Sequence, residues 1–125
     1  MNFPAELKYT KEHEWIHIEG STATVGITDY AQGELGDVIY IDVTAGRTAN
    51  AGDSFGSIEA VKTVSDLYAP VSGTITEVNP KLSDSPDLVN HDPYGEGWLV
   101  KMNVTDGGAA AGLLSADDYK KLIGK

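Results

Sequence analysis

The sequence predicts a mostly antiparallel β domain with short helices. Three observations carry this: 14 glycines set among many β-branched residues, short stretches of alternating apolar and polar side chains, and only two segments with helix-capping signals. Glu14–Glu19 (EWIHIE) places Ile16 and Ile18 on one face, and Gly20-Ser21 signals a turn into Thr22–Ile27 (TATVGI), where Ala23, Val25 and Ile27 share a face. The two segments form a hairpin. Asp29 with Gln32 resembles a capping box, so a short helix is expected over Asp29–Leu35, stopping at Gly36. Val38–Val43 (VIYIDV) follows as a strand, with Ile39, Ile41 and Val43 turned inward. Ala45–Asp53 is a turn-rich connection. Phe55–Val61 and Thr63–Tyr68 flank Lys62, and Ser72-Gly73 opens a strand that runs to Val78. Residues 79–97 read as loop. Trp98–Val104 alternates, with Trp98, Val100, Met102 and Val104 on one face, and Gly107–Gly112 is a small-residue linker. The C-terminal helix is the best signed: Ser115 is the N-cap, Leu114 and Tyr119 are spaced as a hydrophobic staple, and Gly124 is the stop.

Composition narrows the function classes. At 125 residues the chain is expected to form one domain over 1–125, since domains run to about 100–150 residues. It has no cysteine, which excludes disulfides, thiolate metal sites and a cysteine nucleophile. Nineteen acids against nine bases give a net charge of −10, which disfavours nucleic-acid and membrane-surface partners. No apolar run approaches the ~20 residues of a membrane span, and Met1–Tyr9 shows no signal or transit pattern, so a cytoplasmic location is expected.

Few motifs carry chemistry. His13-Glu14-Trp15-Ile16-His17 matches H-E-x-x-H, a zinc signature that requires a helix. On a strand the two histidines lie ~13 Å apart, too far for one ion. Asn103-Val104-Thr105 has the form of a glycosylation sequon but reads as the end of a strand, and His91 has no partner nearby in sequence. No phosphate loop, nucleophile elbow or calcium loop is present. What remains is Lys62, the only basic residue between Arg47 and Lys81. The glycines at 52 and 73 sit almost symmetrically about it, as if two strands run to and from it. No Gly, Pro or Asn marks a turn at residues 60–64, and on pattern alone an ordinary surface lysine is the simpler reading.

Gly56–Gly73 (GSIEAVKTVSDLYAPVSG) resembles the attachment hairpin of lipoyl- and biotin-carrying domains. Tyr9–Trp15 (YTKEHEW), Ala23–Gly36 (ATVGITDYAQGELG), Asp37-Val38 and Tyr94–Leu99 (YGEGWL) resemble, in collinear order, the H-protein family of the glycine cleavage system. The resemblance implies the lipoyl-type barrel-sandwich hybrid, with lipoic acid in amide linkage to Lys62. It also implies that Glu59 and Gly73 serve recognition by the lipoate-attaching enzyme. In the stretch Tyr9–Trp15 the resemblance points to Glu14 as the acid that would shelter the loaded arm, and Asp66, four residues past Lys62, would add to the same acidic cleft; the alternative is that Glu14 is one more solvated acid on a strand face. A lysine amine is mostly protonated near neutral pH, so the attaching enzyme must present it neutral.

The implied role is that of a carrier and co-substrate, not a catalyst. A pyridoxal-phosphate glycine decarboxylase (P protein) would load the aminomethyl group, a folate-dependent aminomethyltransferase (T protein) would take it, and dihydrolipoyl dehydrogenase (L protein) would reoxidise the arm. Two alternatives stand beside it: a lipoyl domain of a 2-oxoacid dehydrogenase complex, and an unmodified acidic β-domain that binds a basic protein. Biotin carriers flank their lysine with methionine, whereas this chain has only Met1 and Met102. Two departures from the family pattern stand out. Ala60 and Thr63 replace serine and alanine, and Ala45–Asn50 lacks the usual acidic-proline character.

Overall fold

The structure is a computed structural model that describes residues 2–105 and 112–124. The expected linker at Gly107–Gly112 lies outside this range except for its last residue. Among the described residues nine strands form two antiparallel sheets. The larger has the order β1 (Lys8–Tyr9), β2 (Glu14–Glu19), β3 (Thr22–Ile27), β9 (Val100–Val104), β8 (Gly73–Val78), β5 (Thr48–Ala49). The smaller has β6 (Ser54–Ala60) between β4 (Val38–Val43) and β7 (Val64–Tyr68). Helices α1 (Asp29–Leu35), α2 (Leu88–His91) and α3 (Ala116–Ile123), with a 3-10 turn at Pro80–Ser83, complete the described elements. The mostly β class, the short helices and the C-terminal helix are as the sequence predicts.

Alternation places the main core between the sheets. Ile16 pairs with Val25 in the β2–β3 hairpin, and Gly20 turns it with φ 61°. Their buried faces meet Phe55, Ile58 and Leu67 of the smaller sheet and Ile75, Val100 and Met102 of the larger. A second cluster is aromatic. Tyr9 stacks on Tyr119 at 5.0 Å between centroids, Phe3 meets both edge-on, and Trp15 joins them. Reciprocal backbone hydrogen bonds of 2.8 Å between Tyr9 and Leu114 lock the approach to α3 onto β1.

Several local expectations are corrected. The α1 cap is Thr28, whose hydroxyl accepts the Ala31 N–H, while Asp29 accepts from the Gln32 side chain and from the Asn2 N–H. In β4, Ile39 is 48% exposed because it is the extra residue of a β-bulge: Val38 pairs with Ala60 and Tyr40 already pairs with Glu59. The bulge resets the alternation, so Val38 faces in, Ile39 and Tyr40 face out, and Ile41 and Val43 keep their inward side. The stretch at 79–97 holds a 3-10 turn, capped by the Asn79 side chain with Pro80 at its start, and the short α2. His91 closes α2 and pairs with Asp87 at 3.4 Å. Trp98 lies outside β9 and packs on the aromatic cluster, leaving Leu99 to the main core. The α3 signals hold: Ser115 accepts the Asp118 N–H, and Gly124 adopts the left-handed conformation with φ 78°.

Candidate functional site

The lysine turn is built by register. Strands β6 and β7 pair from Ser54↔Tyr68 to Glu59↔Val64, leaving Val61, Lys62 and Thr63 to reverse the chain. The Ala60 N–H donates to the Thr63 carbonyl at 2.8 Å, and the Val61 N–H donates to the Asp37 carbonyl at 3.0 Å. The turn thus closes without glycine or proline, held from the side by the entry to β4. Lys62 is exposed and makes no ion pair among the described residues. Glu59 is also exposed, on the outer face between Tyr40 and Val64.

A cleft of about 140 Å³ opens beside this hairpin, lined by Glu12, His13, Glu14, Glu34, Ser65 and Asp66 over an apolar floor of Ile27, Ile58 and Leu67. That volume is below the ~300 Å³ of a drug-sized site, so the cleft suits the end of a chain better than a free ligand. Glu14 is not a solvated acid. It is 2% exposed, and its Oε2 accepts the Tyr68 N–H at 2.8 Å while Oε1 accepts the Thr10 hydroxyl at 3.2 Å. Burial pushes its pKa up to about 8, against the opposing pull of those two hydrogen bonds. The carboxyl is therefore mostly neutral at pH 7. Asp66 sits in β7 on the exposed edge of the cleft, four residues past Lys62.

His13 is the site residue the sequence hid behind a false zinc motif. It sits at φ 68°, a strained conformation for a non-glycine residue. Its Nδ1 lies 2.9 Å from the Tyr119 hydroxyl, which lies 2.8 Å from the Thr28 hydroxyl. Thr28 already accepts the Ala31 N–H, and its own proton finds no other acceptor among the described residues. Running the chain from Thr28 O–H to Tyr119 and from Tyr119 O–H to His13 Nδ1 satisfies all three groups, and that arrangement is the neutral tautomer with the proton on Nε2. Burial lowers the His13 pKa, in keeping with a neutral ring, and raises that of Tyr119 to about 12. No spacing rule could have found this, because the two rings are 106 residues apart. No group of three or more His, Cys, Asp or Glu is placed to hold a metal among the described residues.

Gly73 stands apart from the hairpin. It opens β8 in the larger sheet, paired with Ala49 and Val104. A Cβ there would fall on the Asn103 carbonyl oxygen, inside contact distance. The position demands glycine for close packing of β8 on β9, not for a left-handed φ. Gly26 is similar: a Cβ would strike the Trp15 indole, whose Nε1 donates to the Pro93 carbonyl at 2.9 Å.

Two antiparallel sheets thus pack around a common core, and one hairpin presents a lone lysine beside an acidic cleft. A family model described as Glycine cleavage H-protein matches residues 7–125. The chain is 57% identical over 124 residues to the glycine cleavage system H protein of Bacteroides thetaiotaomicron, covering 98% of each chain. It is 54% identical over 126 residues to that of Staphylococcus haemolyticus, covering 100% of each. The crystal structure of a glycine cleavage system H protein from Mycobacterium marinum superposes with a TM-score of 0.89 at 42% identity, covering 98% of this chain and 100% of that one. The chain belongs to the glycine cleavage H-protein family, the lipoyl-bearing aminomethyl carriers of the glycine cleavage system. Its role is that of a carrier and not a catalyst. Full-length coverage by these relatives sets aside the lipoyl module of a 2-oxoacid dehydrogenase. No helix among the described residues is long and apolar enough to cross a membrane.

Proposed function

We propose that Lys62 is the residue through which this chain carries lipoic acid, as an amide of its Nζ, and that Glu14 and Asp66 receive the loaded end of the arm. The observation that carries the assignment is the β6–β7 turn. It holds one lysine in solvent on a rigid two-stranded support, with no competing ion pair among the described residues. Once attached, the lipoyl group supplies the dithiolane whose sulfur takes an aminomethyl group, chemistry that a cysteine-free chain lacks. Tethering keeps that group at high local concentration near each partner site.

The cleft does the rest with the chain's own groups. A cationic amine brought beside Glu14 favours the charged carboxylate, lowers its pKa and forms a charge-assisted hydrogen bond in a largely dry setting. Neutral His13 on the same wall adds no repelling charge. Asp66 and Glu34 make the entrance attractive to cations. The partners of this cycle are the glycine decarboxylase, the aminomethyltransferase and dihydrolipoyl dehydrogenase, with a lipoate-attaching enzyme before them.

Intact and peptide mass spectrometry after incubation with a lipoate-attaching enzyme, ATP and lipoate tests the assignment. A single lipoyl mass gain on the Lys62 peptide is expected. Lys62→Arg keeps the charge but offers no neutral amine, so it should abolish the gain. Lipoylation that survives in this variant would overturn the assignment.

A further inference from the structure

Five large apolar side chains are strongly exposed among the described residues: Ile39 at 48%, Tyr40 at 58%, Val61 at 68%, Val64 at 62% and Leu122 at 51%. Four of the five lie at one end of the smaller sheet, around Lys62. Sheet register makes them one surface. Tyr40, Glu59 and Val64 are direct cross-strand neighbours on β4, β6 and β7, so they form a continuous outward row ~10 Å wide. Val61 stands next to the lysine in the turn, and the bulge turns Ile39 out next to Tyr40. The row adjoins a groove of about 290 Å³ whose lining is mixed, with Ile39, Tyr40, Ile41 and Leu82 beside Asn79 and Ser83. Isolated exposed apolar residues need no explanation, but a contiguous group rimmed by charge marks a contact site. Glu59 stands within the row, the rim is acidic, with Asp37, Asp42 and Asp66 exposed, and Lys62 is the only basic residue between Arg47 and Lys81.

The geometry points to this patch, Tyr40–Glu59–Val64 with Val61 and Ile39, as the docking surface for the enzyme that acylates Lys62. The occupant would present an apolar contact bordered by basic groups. The inference rests on Lys62 being the lipoylated residue. Reach is what selects this partner. The step forms a bond between Nζ and the carbonyl carbon of an activated lipoyl group, releases the leaving group with its electron pair, and removes one proton from the nitrogen. A bare lysine places Nζ roughly 6 Å from its Cα, at ~1.5 Å per bond. The acylating site must therefore come down onto the turn and cover its nearest neighbours, which are this row. A partner that meets the extended arm later can act from farther away. The patch also separates two residues that the family resemblance groups together: Glu59 is in the contact row, whereas Gly73 is buried against β9 in the other sheet.

Lipoylation kinetics on the full chain test the proposal, with a purified lipoate-attaching enzyme, ATP and lipoate. Tyr40→Ser and Val64→Ser each change an exposed side chain, and each should raise the KM for the protein substrate about tenfold with kcat little changed. Leu122→Ser removes the one strongly exposed large apolar side chain outside the patch among the described residues and should leave both constants alone. Thermal unfolding confirms that each variant is folded, and Val64→Ser carries the test if Tyr40→Ser is not. An unchanged KM in a folded Val64→Ser or Tyr40→Ser chain overturns the proposal while leaving Lys62 as the lipoylated residue. A loss confined to glycine-dependent turnover of the already lipoylated chain assigns the patch to a later partner and also overturns it. If wild-type chain gains no lipoyl mass on Lys62, the underlying assignment itself has failed.

Discussion

At the turn of 61–63 every side chain is exposed, and backbone hydrogen bonds alone shape the chain, whereas at residues 13–15 the side chains themselves build the structure. Glu14 is buried between Thr10 and Tyr68, Trp15 is bonded to Pro93, and His13 is held through Tyr119 and Thr28. Under the proposed function the two regions have separate duties. The tip would be what other proteins read, and little of the fold depends on what its side chains are. The cleft would take a small cation, with groups fixed by bonds that the fold also uses.

Gly73 is the sharpest test of that division, with the largest expected effect. Gly73→Asn forces a side chain onto the Asn103 carbonyl and should cost at least about 3 kcal/mol. Urea unfolding would measure the loss, and the lipoylation rate should fall only in step with the folded fraction. Full stability with slow lipoylation would instead move Gly73 into the recognition surface.

Tyr119→Phe comes next. It leaves Thr28 and the His13 Nδ1 without their shared partner and should cost about 1–2 kcal/mol. Nitrogen NMR of the His13 ring should show that the Nε2-protonated tautomer no longer dominates. An unchanged tautomer would mean that α3 does not orient the cleft wall.

The pH dependence isolates Glu14. Its folded-state pKa of about 8 exceeds the ordinary value of 4.5, so the native state keeps a proton that the unfolded state has released. Native protein thus binds more protons, and stability declines as pH rises through that window. His13 acts oppositely and only below its usual 6.5, since its pKa is lowered. Between pH 6.5 and 8 the wild type should lose about 1–2 kcal/mol, and Glu14→Gln should flatten the profile. The same variant should lose ammonia faster from glycine-loaded protein while still accepting lipoate at Lys62.

Glu59→Ala is the smallest change to the fold and completes the contrast. Stability should stay within about 0.5 kcal/mol of wild type, while lipoylation slows. A drop in melting temperature proportional to the loss of lipoylation would place Glu59 on the structural side.

By itself the sequence determined the strands with clean alternation, the β2–β3 hairpin, the extent of α1, the α3 caps and the isolation of Lys62. These are local properties, set by side-chain period, capping residues and charge within a few positions of one another. Tertiary structure decided the rest. The β4 bulge exists only because β6 pairs in a particular register, so six residues of VIYIDV could not announce that Ile39 faces out. The turn at Lys62 carries no turn residue because its closure depends on the Asp37 carbonyl, 24 positions away from Val61 in the chain. Whether Glu14 is a surface acid or a buried carboxyl was settled by Tyr68, which lies 54 residues on and donates its N–H to Oε2. Side-chain type is written in the sequence, but burial and hydrogen-bond partners arise only when distant segments meet, and these set the chemistry of a carboxyl or an imidazole.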